Sequence, residues 1–225
     1  MSATSINPGR RGVPARAGAH LLLLLTAALV VGGCSSVPSA RKAKGGEEGE
    51  ADAVVVSAQV QRDYGAALAL LEAGDFAAAR ERLEALVAAQ PALLGPRVNL
   101  GIALSGEGNY EAAQNALLAA IELRPEAVEA WNQLGVVYRQ MGRFLSAREA
   151  YGKAIAVAPD YALAHFNAAV LHDIYLHQPA EALAHYERYF QLADEPDDRV
   201  EAWIADMRRQ VEAEQRTAGV VDEEF

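Results

Sequence analysis

The residues with the most chemical potential in this chain are one cysteine and a late cluster of imidazoles. Cys34 is the only cysteine, so an intrachain disulfide, a CxxC redox pair and a cysteine zinc cage are all excluded. His165, His172, His177 and His185 crowd one stretch, and His165 and His172 share a helix face. Zinc on a helix wants i, i+4 spacing or carboxylate and cysteine company, so these histidines read as packing or surface groups and no bound metal is expected. A Gly-rich phosphate loop, a nucleophile elbow and an HExxH pair are absent from the sequence. Paired acids such as Glu47-Glu48 and Glu223-Glu224 lie in segments that read as solvated charge, where nothing would tune a pKa. The expectation is a non-enzyme with no cofactor and no small-molecule substrate.

Position gives Cys34 its meaning. Residues 1–20 hold Arg10, Arg11 and Arg16 and no acid, Leu21 to Val31 is apolar apart from Thr26, and Gly32-Gly33-Cys34 follows. A basic stretch, a short apolar core and small residues at a cleavage point make an export signal, and eleven residues are too few to span a bilayer. Val31-Gly32-Gly33-Cys34 resembles the lipobox of bacterial lipoproteins. That resemblance implies a signal peptide over 1–33, acyl chains on Cys34, and an anchor in the outer membrane of a diderm bacterium, facing the periplasm. Residues 34–56 are rich in Ser, Gly, Lys and Glu and read as a flexible linker.

The 225 residues are 52% apolar but only 7% aromatic, too apolar for a disordered chain and too rich in Ala and Leu for a β-sandwich. The formal charge is −10, and all 30 acids lie after Cys34, so phosphate backbones would repel the body of the protein and nucleic acid is excluded as a partner.

Within that body the sequence repeats every 34 residues, as Pro91, Pro125 and Pro159 and again as Gly74, Gly108 and Gly142. Phe76, Tyr110 and Phe144 keep the same register, as do Ala79, Ala113 and Ala147. Trp131, Leu134, Gly135 and Tyr138 form one helical stripe, and Ala147, Tyr151 and Ala154 form the stripe facing it. Glycine ends the first helix of each pair and proline stops the second. Small residues at Gly101, Gly135, Ala113 and Ala147 let two helix axes approach.

These residues resemble the tetratricopeptide repeat, with repeats at about 60–93, 94–127, 128–161 and 162–197. The resemblance implies an all-α, right-handed solenoid of about four helix hairpins over 57–197. The fourth unit fits only with one residue inserted between Ile174 and Gln178. Beyond it, Val200, Trp203, Ile204, Met207 and Val211 form an apolar stripe, so residues 198–216 read as a capping helix whose start has capping-box spacing at Asp198 and Glu201. Residues 217–225 read as an acidic tail.

The second face of each first helix, about 100° from the packing stripe, is expected to line the inner wall of the stack. Its residues are Tyr64, Leu68 and Leu71, then Val98 and Ile102, then Asn132, Val136 and Arg139, then Phe166 and Val170. The row Leu68, Ile102, Val136 and Val170 would form an apolar strip for a peptide of a partner protein. Two alternatives stand beside this: the strip packs against neighbouring repeats or the chain's own ends, or it is the interface of a homodimer. Repeats that clamp C-terminal carboxylates carry asparagine in that row, and this chain does not. Similar lipoproteins assist pilus and secretion machinery or serve cell-wall enzymes, so the resemblance implies a cell-envelope scaffold.

Overall fold

The computed structural model describes residues 57–194 and 198–222, with side chains from 199 to 217 in the latter segment. The expected signal peptide, Cys34, the linker over 34–56 and the Asp198 side chain lie outside the described residues. Among those described, the elements are α1 (Ala58–Glu72), α2 (Phe76–Ala89), α3 (Leu94–Gly106), α4 (Tyr110–Leu123), α5 (Val128–Gln140), α6 (Phe144–Val157), α7 (Ala162–Val170), a π-helical turn (Leu171–Leu176), α8 (Pro179–Leu192) and α9 (Asp198–Asp222). No described helix is long and apolar enough to cross a membrane.

The hairpin ends follow from local backbone chemistry. Gly74, Gly108 and Gly142 stand at φ of +76°, +80° and +72°, where a side chain would be strained. The next amide in each case closes onto the helix, Asp75 N–H to Leu70 O at 2.9 Å, Asn109 to Leu104 at 2.9 Å and Arg143 to Tyr138 at 2.8 Å, which satisfies an orphaned carbonyl. At the other end Gln90, Arg124 and Ala158 each precede a proline and leave the α region, with φ of −136°, −146° and −135°.

Within a hairpin, close approach is set by the small residues. A Cβ on Gly101 would lie 2.6 Å from Leu117, and one on Gly135 would overlap the Tyr151 ring, so large α4 and α6 side chains lie directly on bare backbone. Leu83, Leu117, Tyr151 and Tyr186 fill equivalent sites in the four hairpins and are buried. First helices of neighbouring hairpins pack against each other, α3 on α5 and α5 on α7, and no comparable packing joins α2, α4 and α6. The first helices are therefore the inner layer.

The fourth hairpin carries the expected extra residue, which appears as the π-helical turn Leu171–Leu176. His177, at φ 52°, replaces the glycine of the earlier units, and the closing bond spans one residue more, Gln178 N–H to His172 O at 2.9 Å. Pro179 opens α8 at its first turn. Past it, α9 buries Val200, Ile204 and Met207 against Ala169, Val170, Ala182 and Tyr186. The helix runs on to Asp222, so most of the segment expected as a tail is helical. Ala213, Glu214 and Gln215 propagate helix well, and the helix continues through Thr217 and Gly219 to Asp222 although those residues are weaker helix formers.

Candidate functional site

The inner wall is smaller than the sequence pattern suggests. Leu71, Val98, Asn132 and Val170 are buried, at 4%, 7%, 0% and 4% exposure, and do not line an open surface. Helix-to-helix packing claims Val98 and Asn132, and α9 covers Val170. Six expected wall residues remain half-buried: Tyr64, Leu68, Ile102, Val136, Arg139 and Phe166. Ile102 rests on the core shared by the second and third hairpins, and Val136 on Ala147, Tyr151, Ala168 and Leu171.

Hydrogen bonds between first helices fix the spacing of this wall. The Asn99 amide donates to the Tyr64 hydroxyl at 2.5 Å, and the Asn167 amide donates to Asn132 Oδ1 at 3.0 Å. Both bonds join residues 35 apart, one repeat plus one position. Burial raises the Tyr64 pKa, so its phenol stays protonated and stays in place. The Nδ2 of Asn132 is buried and unpartnered.

A second periodic set of bonds ties each first helix to the end of the hairpin before it. Arg97 Nε and Nη2 donate to Pro91 O at 3.0 and 2.8 Å, Trp131 Nε1 donates to Pro125 O at 2.7 Å, and His165 Nε2 meets Pro159 O at 3.1 Å. Sequence reasoning missed this device. Its signal was available: an N–H donor stands six residues after each periodic proline, in three chemically different side chains. Trp131, expected only in the packing stripe, is half-buried and anchors through its indole nitrogen.

Polar side chains gather where the third hairpin meets the fourth. The Arg139 guanidinium lies 5.9 Å from the centre of the Tyr175 ring, a cation–π distance. Tyr175 in turn packs on Phe144 at 4.8 Å between ring centres. The Tyr186 hydroxyl donates to Asp173 Oδ2 at 3.5 Å. Burial pushes the Tyr151 pKa up to about 12, with the nearby Arg139 charge working against the rise. Tyr175, Ile174 and Leu145 are exposed at 36%, 37% and 61%, an apolar edge beside the π-helical turn.

Of the histidines expected to be packing or surface groups, His165, His172 and His185 pack on one another. His165 and His185 meet through their Nδ1 atoms at 3.1 Å, and His172 stacks on His185 with ring centres 5.6 Å apart. His177 stays apart as the left-handed residue of the turn. No group of three or more His, Cys, Asp or Glu among the described residues has an arrangement that could hold a metal ion.

Comparison with known proteins adds the family of the repeat. Tetratricopeptide-repeat families match over residues 126–195, 106–142 and 64–97. The chain is a tetratricopeptide-repeat solenoid. Similar solved structures include MamA, at 25% identity over 59% of this chain and 77% of that one with a TM-score of 0.52. TTC0263, a thermophilic tetratricopeptide-repeat protein of Thermus thermophilus, is 26% identical over 66% of this chain and 80% of its own, with a TM-score of 0.58. PilF of Pseudomonas aeruginosa, 16% identical over 68% and 69% with a TM-score of 0.61, shares the fold. No curated protein matches the chain. The solenoid suits protein–protein interaction, because stacked first helices present a preformed wall to an extended or helical segment.

Proposed function

We propose that this solenoid holds a peptide segment of another protein against its inner wall, as a scaffold without catalytic activity of its own. The carrying observation is the row Leu68, Ile102 and Val136, one apolar side chain per hairpin, each half-buried on the inner layer of a chain whose formal charge is −10. The first helices α3, α5 and α7 with the π-helical turn carry Arg97 and Arg139 against Glu129 and Asp173, a balanced pair of charges. Among the described residues, the second helices and α9 together carry more acids than bases. A partner segment with apolar anchors and a neutral or basic backbone context would fit, and acidic segments would be repelled on approach.

The test is a photoreactive residue at Val136 combined with Ile102→Lys. The long stem of lysine covers the apolar surface that isoleucine covered while its ammonium reaches water, so the helices should persist. Crosslinking from Val136 to a partner chain is expected to fall by more than tenfold in the Ile102→Lys variant, with an unchanged far-ultraviolet circular dichroism spectrum. Equal crosslinking with and without the lysine would refute the groove. Dimers crosslinked through Val136, appearing only as the protein concentration rises, would favour self-association instead.

The proposed setting is the outer membrane of a diderm bacterium, with acyl chains on Cys34 and the linker over 34–56 standing the solenoid off the bilayer. The basic, apolar and small-residue order before Cys34 supports this reading. One acyl chain anchors marginally and two or three anchor almost permanently, at about 0.8 kcal/mol per buried CH₂. Cys34→Ala is therefore expected to move the protein from the membrane fraction to the soluble envelope fraction. Unchanged fractionation would rule out the lipid anchor. Cell-envelope assembly, of pilus and secretion machinery or of cell-wall enzymes, is the context the lipoprotein resemblance favours.

A further inference from the structure

All histidines of the described solenoid lie between His165 and His185, so hairpins one to three hold none and any imidazole titration falls on the fourth. There the three rings of His165, His172 and His185 pack together between α7, the π-helical turn and α8. His165 and His172 are each only 7% exposed, and ring centres lie 5.4 and 5.6 Å apart.

The hydrogen bonds assign the protons. Pro159 O can only accept, so His165 carries its hydrogen on Nε2, and a neutral His165 must then accept at Nδ1 from the Nδ1–H of His185. Gln178 Oε1, 2.8 Å from His172 Nδ1, likewise accepts, so His172 donates there. The His165–His185 pair is then a network of two neutral rings in which each of these protons has one place. A first added proton enters at Nε2 of His185, and its charge can be shared through the proton already held between the two facing Nδ1 atoms. A second would set two donors nose to nose and two charges side by side in a half-buried layer.

The charges around the stack do not compensate for that. Arg188 of α8 opposes protonation of His165, and Glu181 of α8 favours that of His185. From the π-helical turn, Asp173 is turned toward the Tyr186 hydroxyl, and from α5 the Arg139 charge also faces Tyr186. From α9, Arg208 bonds Glu187 of α8 at 2.9 Å through Nε. Burial, and then the neighbouring imidazoles, hold His185 down at about 4 and burial lowers His165 from the usual 6.5.

We propose that the fourth hairpin is an acid-operated latch: double protonation of the His165–His185–His172 stack parts α7 from α8 and frees α9, while hairpins one to three remain folded. Such a local response is natural to a solenoid, whose units contact only their neighbours and open separately. Opening would uncover Val170 of α7 and Tyr186 of α8, against which α9 packs. The latch does not depend on what the wall binds.

The sign follows from linkage. Folded His165 and His185 bind protons less readily than their unfolded forms, whose pKa is 6.5, so their contribution to stability is complete above 6.5 and declines as the pH falls toward 4. Hydrogen–deuterium exchange of the full chain, corrected for intrinsic rates, tests where the loss occurs. Between pH 7.5 and 4.5, amides of residues 162–192 and 199–216 are expected to exchange at least tenfold faster, with residues 94–140 changing less than twofold. His185→Phe is expected to abolish most of that difference. Equal acceleration in all four hairpins would overturn the latch, as would undiminished acid sensitivity in a folded His185→Phe protein. Should that variant fail to fold, ring-proton NMR on the unaltered protein decides: normal titration near 6.5 by both His165 and His185 would overturn the latch, and depressed titration accompanied by loss of fourth-hairpin signals supports it.

Discussion

Tyr151→Ala is expected to destabilise the third hairpin by about 3–5 kcal/mol, the usual cost of emptying a large buried aromatic site. Tyr151 is fully buried, packs with Ala147, Ala168 and Leu171, and lies on the bare backbone of Gly135. Tyr151→Phe separates ring from hydroxyl. The Tyr151 oxygen is buried beside the Arg139 guanidinium without a hydrogen bond of good geometry, so removing it should change stability by less than about 1 kcal/mol in either direction. Gly135→Ala supplies the complementary cut. On its own it drives a methyl into the Tyr151 ring and should cost about 1–3 kcal/mol. In the Tyr151→Ala background the same methyl enters vacated space and should cost far less, a coupling above about 1 kcal/mol. Urea unfolding of the four proteins, followed by far-ultraviolet circular dichroism and by exchange of third-hairpin amides, measures the cycle. Additive costs would show that ring and glycine are not in the contact described.

Ending the chain at Asp194 should have the next largest effect. Val200, Ile204 and Met207 of α9 are buried, and burying a side chain of that size contributes roughly 1.5–3 kcal/mol before the cost of ordering the helix. The truncation would bare Ala169, Val170, Ala182 and Tyr186 together and remove Trp203 from its place 5.8 Å from the Tyr186 ring. A contiguous apolar end of this kind associates with itself. The shortened protein is expected to form dimers or larger species in sedimentation velocity and to lose exchange protection in α7 and α8, while α3 to α6 keep theirs. A monodisperse monomer with a protected fourth hairpin would mean that α9 is an appendage and not a cap.

Much of this architecture is legible from residue to residue. Gly142 at positive φ, Pro159 behind an extended Ala158, and small Gly135 beneath bulky Tyr151 each act within a hairpin, where sequence distance and spatial distance go together. The register shift between Ile174 and Gln178 was equally readable, because the later residues Ala182 and Tyr186 must still reach their sites. How the chain would absorb it was not, since a longer first helix and a π-helical turn satisfy the same count. The histidine stack escaped notice for a related reason. His165 and His185 stand 20 residues apart on two helices, and only the crossing of α7 and α8 sets their nitrogens 3.1 Å from each other.

By itself, then, the sequence determined the repeating unit and the all-α hairpin architecture, because both depend on backbone restrictions and apolar periodicity acting over one or two turns. Only the tertiary structure decided which second-face residues stay open. Val98, Asn132 and Val170 share a register with Tyr64, Phe166 and Val136, yet packing between hairpins and the docking of α9 bury them. Burial depends on how far neighbouring helices rotate and approach, and that quantity belongs to the stack as a whole.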